Sequence, residues 1–367
     1  MHILPALAFA VATLADTATR DTLTAAPADS IPAVTIGGFI DAYYAWDSGR
    51  PRSLDRAFTT QPARHNEFNI NLAYVELVLA QPRLRGRLAL QAGTSVQANY
   101  AAEPRVGAVS GGDLSRLLQE ATVGVQLHRR AWLDVGTYFS HIGLEGWISR
   151  DNPTYTRSLI ADYTPYYLSG ARLTWQVTPR LTAQVHLVNG WQNVSETNAD
   201  KALGTRLDWQ VTPALVVSWR SFVGNEQPDS AATQTRVLQQ VLARWAPPGW
   251  EWSLVLDAGR QGRGGGGTDT WQGGAFIGRR ALTSTTWLSG RVEALLDPDH
   301  ILLATPGNQP FRTRSASVGL DVQLERRALW RTELRGFRSS ARIWPSGASP
   351  DGARGPSLLV TSLAITL

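Results

Sequence analysis

Five of the six histidines, His65, His128, His141, His186 and His300, are the obvious candidates for acid–base or metal chemistry, and their spacing does not suit either. They fall on different connections and strand-like runs, without the short intervals that put two ligands on one face of an element. Ser140 precedes His141 directly, and adjacent residues of an extended chain point to opposite faces, so this pair is not a nucleophile with its base. Gly264-Gly-Gly-Gly267 lacks the lysine and hydroxyl residue of a phosphate loop and reads as a flexible external connection. With no cysteine in 367 residues, thiolate nucleophiles, disulfides, iron–sulfur clusters and cysteine-ligated zinc are excluded. No cofactor is implied.

The remaining residues with chemical potential are arginines and carboxylates, and they are patterned. The chain holds 35 basic residues, only one of them a lysine (Lys201), and 30 acidic ones, for a net charge of +5. The arginines stand singly or in pairs along the whole length, often two residues from a carboxylate, which argues against a nucleic-acid partner. The densest pairs, Arg279-Arg280 and Arg326-Arg327, are expected between strands.

The elements that carry these charges alternate with a period of two. In Thr122–His128, Val123, Val125 and Leu127 oppose Gln126 and His128; Trp250, Trp252, Leu254 and Leu256 oppose Glu251, Ser253 and Asp257; Ala316, Val318, Leu320 and Val322 oppose Ser317, Gly319, Asp321 and Gln323. The runs are about 9–12 residues long, the length a tilted strand needs to cross a bilayer. A mean hydropathy of −0.16 and the lack of long apolar runs exclude a helical membrane bundle and leave a β-barrel open.

About sixteen strands are expected: 34–46, 66–80, 84–98, 119–128, 131–141, 167–177, 180–191, 202–211, 214–224, 235–246, 250–260, 269–280, 283–296, 312–324, 328–340 and 357–367. Their connections alternate between tight turns, among them Gln81-Pro82-Arg83, Thr178-Pro179, Thr212-Pro213, Arg279–Leu282 and Glu325–Ala328, and long segments near 47–64, 99–118, 142–165, 192–201, 225–234, 261–268, 297–311 and 341–356. The fold class expected is therefore all-β: a transmembrane antiparallel β-barrel with short periplasmic turns and long extracellular loops.

A repeat supports hairpin construction. Arg172–Leu181 (RLTWQVTPRL) recurs as Arg206–Leu215 (RLDWQVTPAL), and in both copies a tryptophan, Trp175 or Trp209, sits on the apolar face just before a turn, where an aromatic girdle meets the membrane interface. The last residues, Ser357–Leu367, form a strand able to close the barrel against the first one.

Three divisions of the chain follow. Residues 1–15 are apolar and uncharged and end in small residues, as a signal peptide does; residues 16–33 read as a flexible linker; residues 34–367 form the barrel.

Several stretches resemble the OmpL-like family of outer-membrane β-barrel porins: Gly38–Trp46 (GFIDAYYAW), Arg64–Glu76 (RHNEFNINLAYVE), Gln97–Pro104 (QANYAAEP), Tyr155–Leu159 (YTRSL) with Pro165-Tyr-Tyr167, and Asn189–Asn193 (NGWQN). The matches cover the first half to two-thirds of the barrel. The resemblance implies a porin of the bacterial outer membrane and supplies no channel residues. Leu367 stands where many such barrels end in an aromatic residue.

A closed barrel of this size encloses water, so its polar face is the functional surface. Alternation assigns to that face Arg85, Arg87, Arg172, Arg206, Arg220, Arg291, Arg331 and Arg335, together with Asp41, Glu76, Asp134, Asp208, Glu251, Asp257, Glu293, Asp321 and Glu333. Such charges either segregate to opposite walls and create a transverse field, or pair across neighbouring strands and stiffen the wall. Loop 142–165 follows the fifth strand and is the third long loop, which in porins generally folds inward. It is expected to form the constriction, with Arg150 and Arg157 opposing Asp151 and Asp162.

The expected function is passive diffusion of small hydrophilic solutes through a water-filled channel, by a protein embedded in outer-membrane lipid. A homotrimer is the assembly large porins often adopt, although no stretch here marks a subunit interface. A surface-binding or adhesion barrel acting through its loops is the alternative, and an outer-membrane hydrolase a weaker one.

Overall fold

The computed structural model describes residues 33–367. The export signal expected at 1–15, and the linker at 16–33 apart from Ala33, lie outside the described residues. Sixteen strands follow one another: β1 Ala33–Asp47, β2 Phe68–Ala80, β3 Leu84–Ala92, β4 Leu118–His128, β5 Ala131–Phe139, β6 Tyr167–Thr178, β7 Leu181–Val188 and β8 Ala202–Thr212. The second half comprises β9 Leu215–Asn225, β10 Thr235–Trp245, β11 Trp250–Gly262, β12 Thr268–Ala281, β13 Thr286–Asp297, β14 Phe311–Glu325, β15 Ala328–Ser339 and β16 Ser357–Thr366. Each pairs antiparallel with the next, and β1 pairs with β16 from Phe39↔Thr366 to Asp47↔Leu358, so the sheet closes with no free edge.

The sidedness follows from the alternation. Val123, Val135, Val185, Leu256, Val292, Leu334 and Leu363 are exposed on the outer surface, while Asp134, Asp257, Arg291, Glu293, Asp321, Arg331, Glu333 and Arg335, one residue out of phase, are buried inside. A soluble protein would place these sets the other way round; lipid outside and water inside account for them. Trp175 and Trp209 are 51% and 54% exposed on the outer face, each within three residues of its turn, with Trp245, Trp250 and Trp330 at the same end. They form the girdle expected there.

Two expectations need correction. The third strand ends at Ala92 rather than 98, because Gly93 (φ 141°) turns the chain off the wall so closely that a Cβ would lie 2.4 Å from the Asn71 carbonyl oxygen. Helix α1 (Thr94–Asn99) follows, with Ser95 donating to that same carbonyl at 2.7 Å. The turn placed at 279–282 lies at 282–285, so Arg279 and Arg280 belong to β12. Both arginines are held in the strand by side-chain partners: Arg279 faces inward to Asp321 at 2.9 Å, and Arg280 lies over the Trp250 ring. Thr283 and Thr286 make the turn through backbone hydrogen bonds.

Candidate functional site: the loop inside the barrel

Residues 140–166 leave β5 and cross the barrel interior. In a ring of sixteen strands β9 stands opposite β1, and the loop reaches both. His141 Nε2 lies 2.8 Å from the Ser221 carbonyl of β9, and the Gly143 amide donates to Gln240 of β10 at 2.8 Å. On the far side Ser149 donates to Asp41 of β1 at 2.7 Å.

Between these anchors the loop is bound to the wall of β13–β15 by charge-assisted hydrogen bonds, which are stronger than neutral ones. The Thr156 amide and hydroxyl donate to the two oxygens of Glu333 at 2.7 and 2.8 Å, and the Leu159 amide donates to Glu293 at 2.6 Å. Arg335 donates to the Arg157 carbonyl at 2.8 Å, and Arg331 to the Asn152 carbonyl at 3.1 Å. Arg291 bridges three carboxylates: Glu293 at 3.1 Å, Glu145 of the loop at 3.3 Å and Glu333 at 3.4 Å. Ser158 caps the short helix α2 (Leu159–Asp162) by accepting from the Ala161 amide.

Two wall glycines make room for this chain. A Cβ on Gly204 of β8 would lie 2.4 Å from the His141 ring, and one on Gly273 of β12 would lie 2.3 Å from the Ile160 side chain. The first long loop covers the crossing segment: Thr60 donates to Asp162 at 2.7 Å, and Gln61 to the Trp147 carbonyl at 2.9 Å. Burial raises the proton affinity of Glu145 and Asp162, against the pull of Arg291 on the first and Arg157 on the second. Burial holds His141 neutral, its pKa lowered to about 3.

The charges assigned to the polar face all lie inside the barrel, mostly paired with neighbours. Asp134 meets Arg85 at 2.5 Å and Arg172 at 3.3 Å; Arg206 meets Asp208 at 2.6 Å; Arg331 meets Asp321 at 2.8 Å; Arg335 meets Glu293 at 2.6 Å. Arg87 bridges Glu76 and Glu120, Glu251 accepts from Arg244, and Asp257 accepts from Gln240 at 2.8 Å. Arg244, Glu120 and Gln240 join this wall by the same alternation, as does Arg279, which was expected in a turn.

Of the four loop charges, Arg150 and Asp151 form an ion pair, and Arg157 acts on Asp162 through space. Arg150 lies 3.3 Å from its neighbour Asp151 and donates to Thr366. Arg157 stacks on Tyr166, 3.5 Å from the ring centroid, and Asp162 accepts from Thr60 and Tyr166. His141 and His186, 45 residues apart, stack at 4.0 Å, a meeting that spacing could not reveal. Among the described residues no group of three or more His, Cys, Asp or Glu side chains is placed to hold a metal ion.

On the β3–β10 side the loop leaves open a cavity of about 590 Å³, which reaches the short-turn end at Pro179, Arg180 and Pro213. Residues 33–367 match the family described as "Putative beta-barrel porin-2, OmpL-like". The chain belongs to this family. The match spans the whole barrel, beyond the part that carries the resembling stretches. Among curated proteins none matches the chain by sequence. Solved structures match by fold. The outer-membrane channel DcaP of Acinetobacter baumannii aligns with a TM-score of 0.61 at 11% identity, over 94% of this chain and all of that one. An anion-selective porin from Comamonas acidovorans gives 0.58 at 10% identity, over 92% of this chain and all of that one. OmpT of Vibrio cholerae, in a trimer form, gives 0.57 at 7% identity over 92% and 100%. The protein is thus an OmpL-like porin of the bacterial outer membrane, a β-barrel channel for passive diffusion.

Proposed function

We propose that residues 140–166 are the constriction of this porin, and that small hydrophilic solutes pass between the loop and the β3–β10 wall. The observation that carries the reading is the one-sided seating of the loop. Glu293, Glu333, Arg331 and Arg335 bind it to β13–β15, while the opposite arc borders the cavity. Solutes move down their gradients, sorted by size and charge where the polar walls approach each other. Deleting residues 147–160 removes the segment bound to β1 and β15 and enlarges the single-channel conductance; an unchanged conductance contradicts this role.

The porin assembles as a homotrimer, a reading supported by its likeness to the trimeric Vibrio cholerae OmpT. Chemical cross-linking in native membranes yields a three-subunit band on this account, and a monomer alone would contradict it.

A further inference from the structure

The cavity beneath the loop has a pronounced charge imbalance. Eight arginines border it against five carboxylates. Five of the arginines, Arg85, Arg172, Arg206, Arg220 and Arg244, come from β3, β6, β8, β9 and β10, and Arg180 stands at the rim. The carboxylates are committed to neighbours: Asp134 is shared by two arginines, Asp208 accepts from Arg206 and from Ser218, and Glu145 is turned onto Ser158 and Arg291. The lining carries a formal excess of three positive charges, eight arginines less five carboxylates, and low-dielectric walls strengthen the field of such an excess.

At the inner end of the cavity stands Arg157, only 2% exposed. Its guanidinium lies over the Tyr166 ring and one nitrogen donates to the Ala161 carbonyl, but Nε and Nη1 meet no hydrogen-bond partner. A buried guanidinium with unmet donors is costly, and the group that answers it best is an oxyanion, which accepts two N–H bonds in the fork geometry of arginine.

We propose that this cavity is a binding chamber for small oxyanions, carboxylate or phosphate, with Arg157 as the seat at its inner end, so that the channel passes anions in preference to cations. The proposal rests on the channel reading above and adds to it the class of solute. A phosphate and a carboxylate present the same acceptor fork, so the geometry is common to both and the experiment separates them.

The test has two arms. In planar bilayers under a potassium chloride gradient, the zero-current potential of the purified protein gives a chloride permeability at least about threefold that of potassium. Succinate or phosphate added on the short-turn side lowers the chloride current, and Arg157→Gln raises the concentration needed by at least about fivefold. Comparing succinate with phosphate shows which oxyanion is preferred. The second arm is calorimetric titration of the detergent-held barrel with the same two anions. Binding is expected in the native protein and in Arg157→Lys, weaker in the latter, and lost in Arg157→Gln. Conducting channels that favour potassium, or that bind neither anion, overturn the inference and leave the porin reading standing. A folded barrel that binds the anions without conducting overturns the channel reading and retains the seat.

Discussion

Arg291 shows why the inner wall cannot be treated as a set of exposed surface pairs. It lies among Glu145, Glu293 and Glu333 with side-chain exposures of 0–1%, so little water is available to screen any of them. Removing one member of such a cluster strands the rest, and a broken buried pair costs about 3–5 kcal/mol. Arg291→Ala is therefore expected to destabilise the refolded barrel by that amount in denaturant titration, whereas Arg263→Ala, on an exposed loop, leaves stability nearly unchanged. Glu226, in the loop after β9, accepts from the Trp191 amide at 3.0 Å, and its pKa is raised by burial from 4.5 to about 7, partly offset by Arg236. A carboxyl whose folded pKa is raised binds more protons folded than unfolded. Its contribution is greatest below the unfolded value and declines as pH rises toward 7. Stability of the folded barrel in denaturant titration should fall between pH 5 and pH 8, and Glu226→Gln should remove that part of the fall. At this scale the sequence shows which residues face inward, because alternation decides facing. It does not show partners, since Asp41 with Ser149, or His141 with His186, depend on where a long loop lies.

At the scale of elements, the loop and its seat are specified together. The barrel wall supplies Gly204 and Gly273 where the loop lays down His141 and Ile160, so the wall is notched to the loop's shape. Gly204→Leu fills the first notch. Overpacking of this kind costs about 1–3 kcal/mol, and here it is relieved most readily by displacing the loop root. Limited proteolysis should then cleave within residues 140–166 faster than in the native protein, and equal protection would show that the notch is not needed. Strand boundaries were legible from the sequence to within a few residues, since each lipid-facing run is long and each turn is marked by Pro or by an Arg pair. The exceptions have local causes. At Gly93 the chain leaves the wall, and at residues 282–285 threonines rather than the arginines make the turn. The third long loop could be located by its order in the chain. Its path across the lumen from β9 to β1 could not, because its anchors are hydrogen bonds to and from backbone groups whose partners lie up to 182 residues away.

For the whole molecule, closure by β1 and β16 and an apolar belt around a polar interior make the bilayer the solvent of one face and water that of the other. The proposals give the barrel two connected properties: the loop bound to one wall narrows the lumen, and the arginine-rich wall opposite determines what passes. Both depend on the lumen being a conducting path. The most direct measurement is single-channel recording of the refolded protein in planar bilayers. Discrete, ohmic current steps are the predicted result. The absence of steps from a protein shown by its heat-modifiable mobility to be folded and inserted would contradict the account.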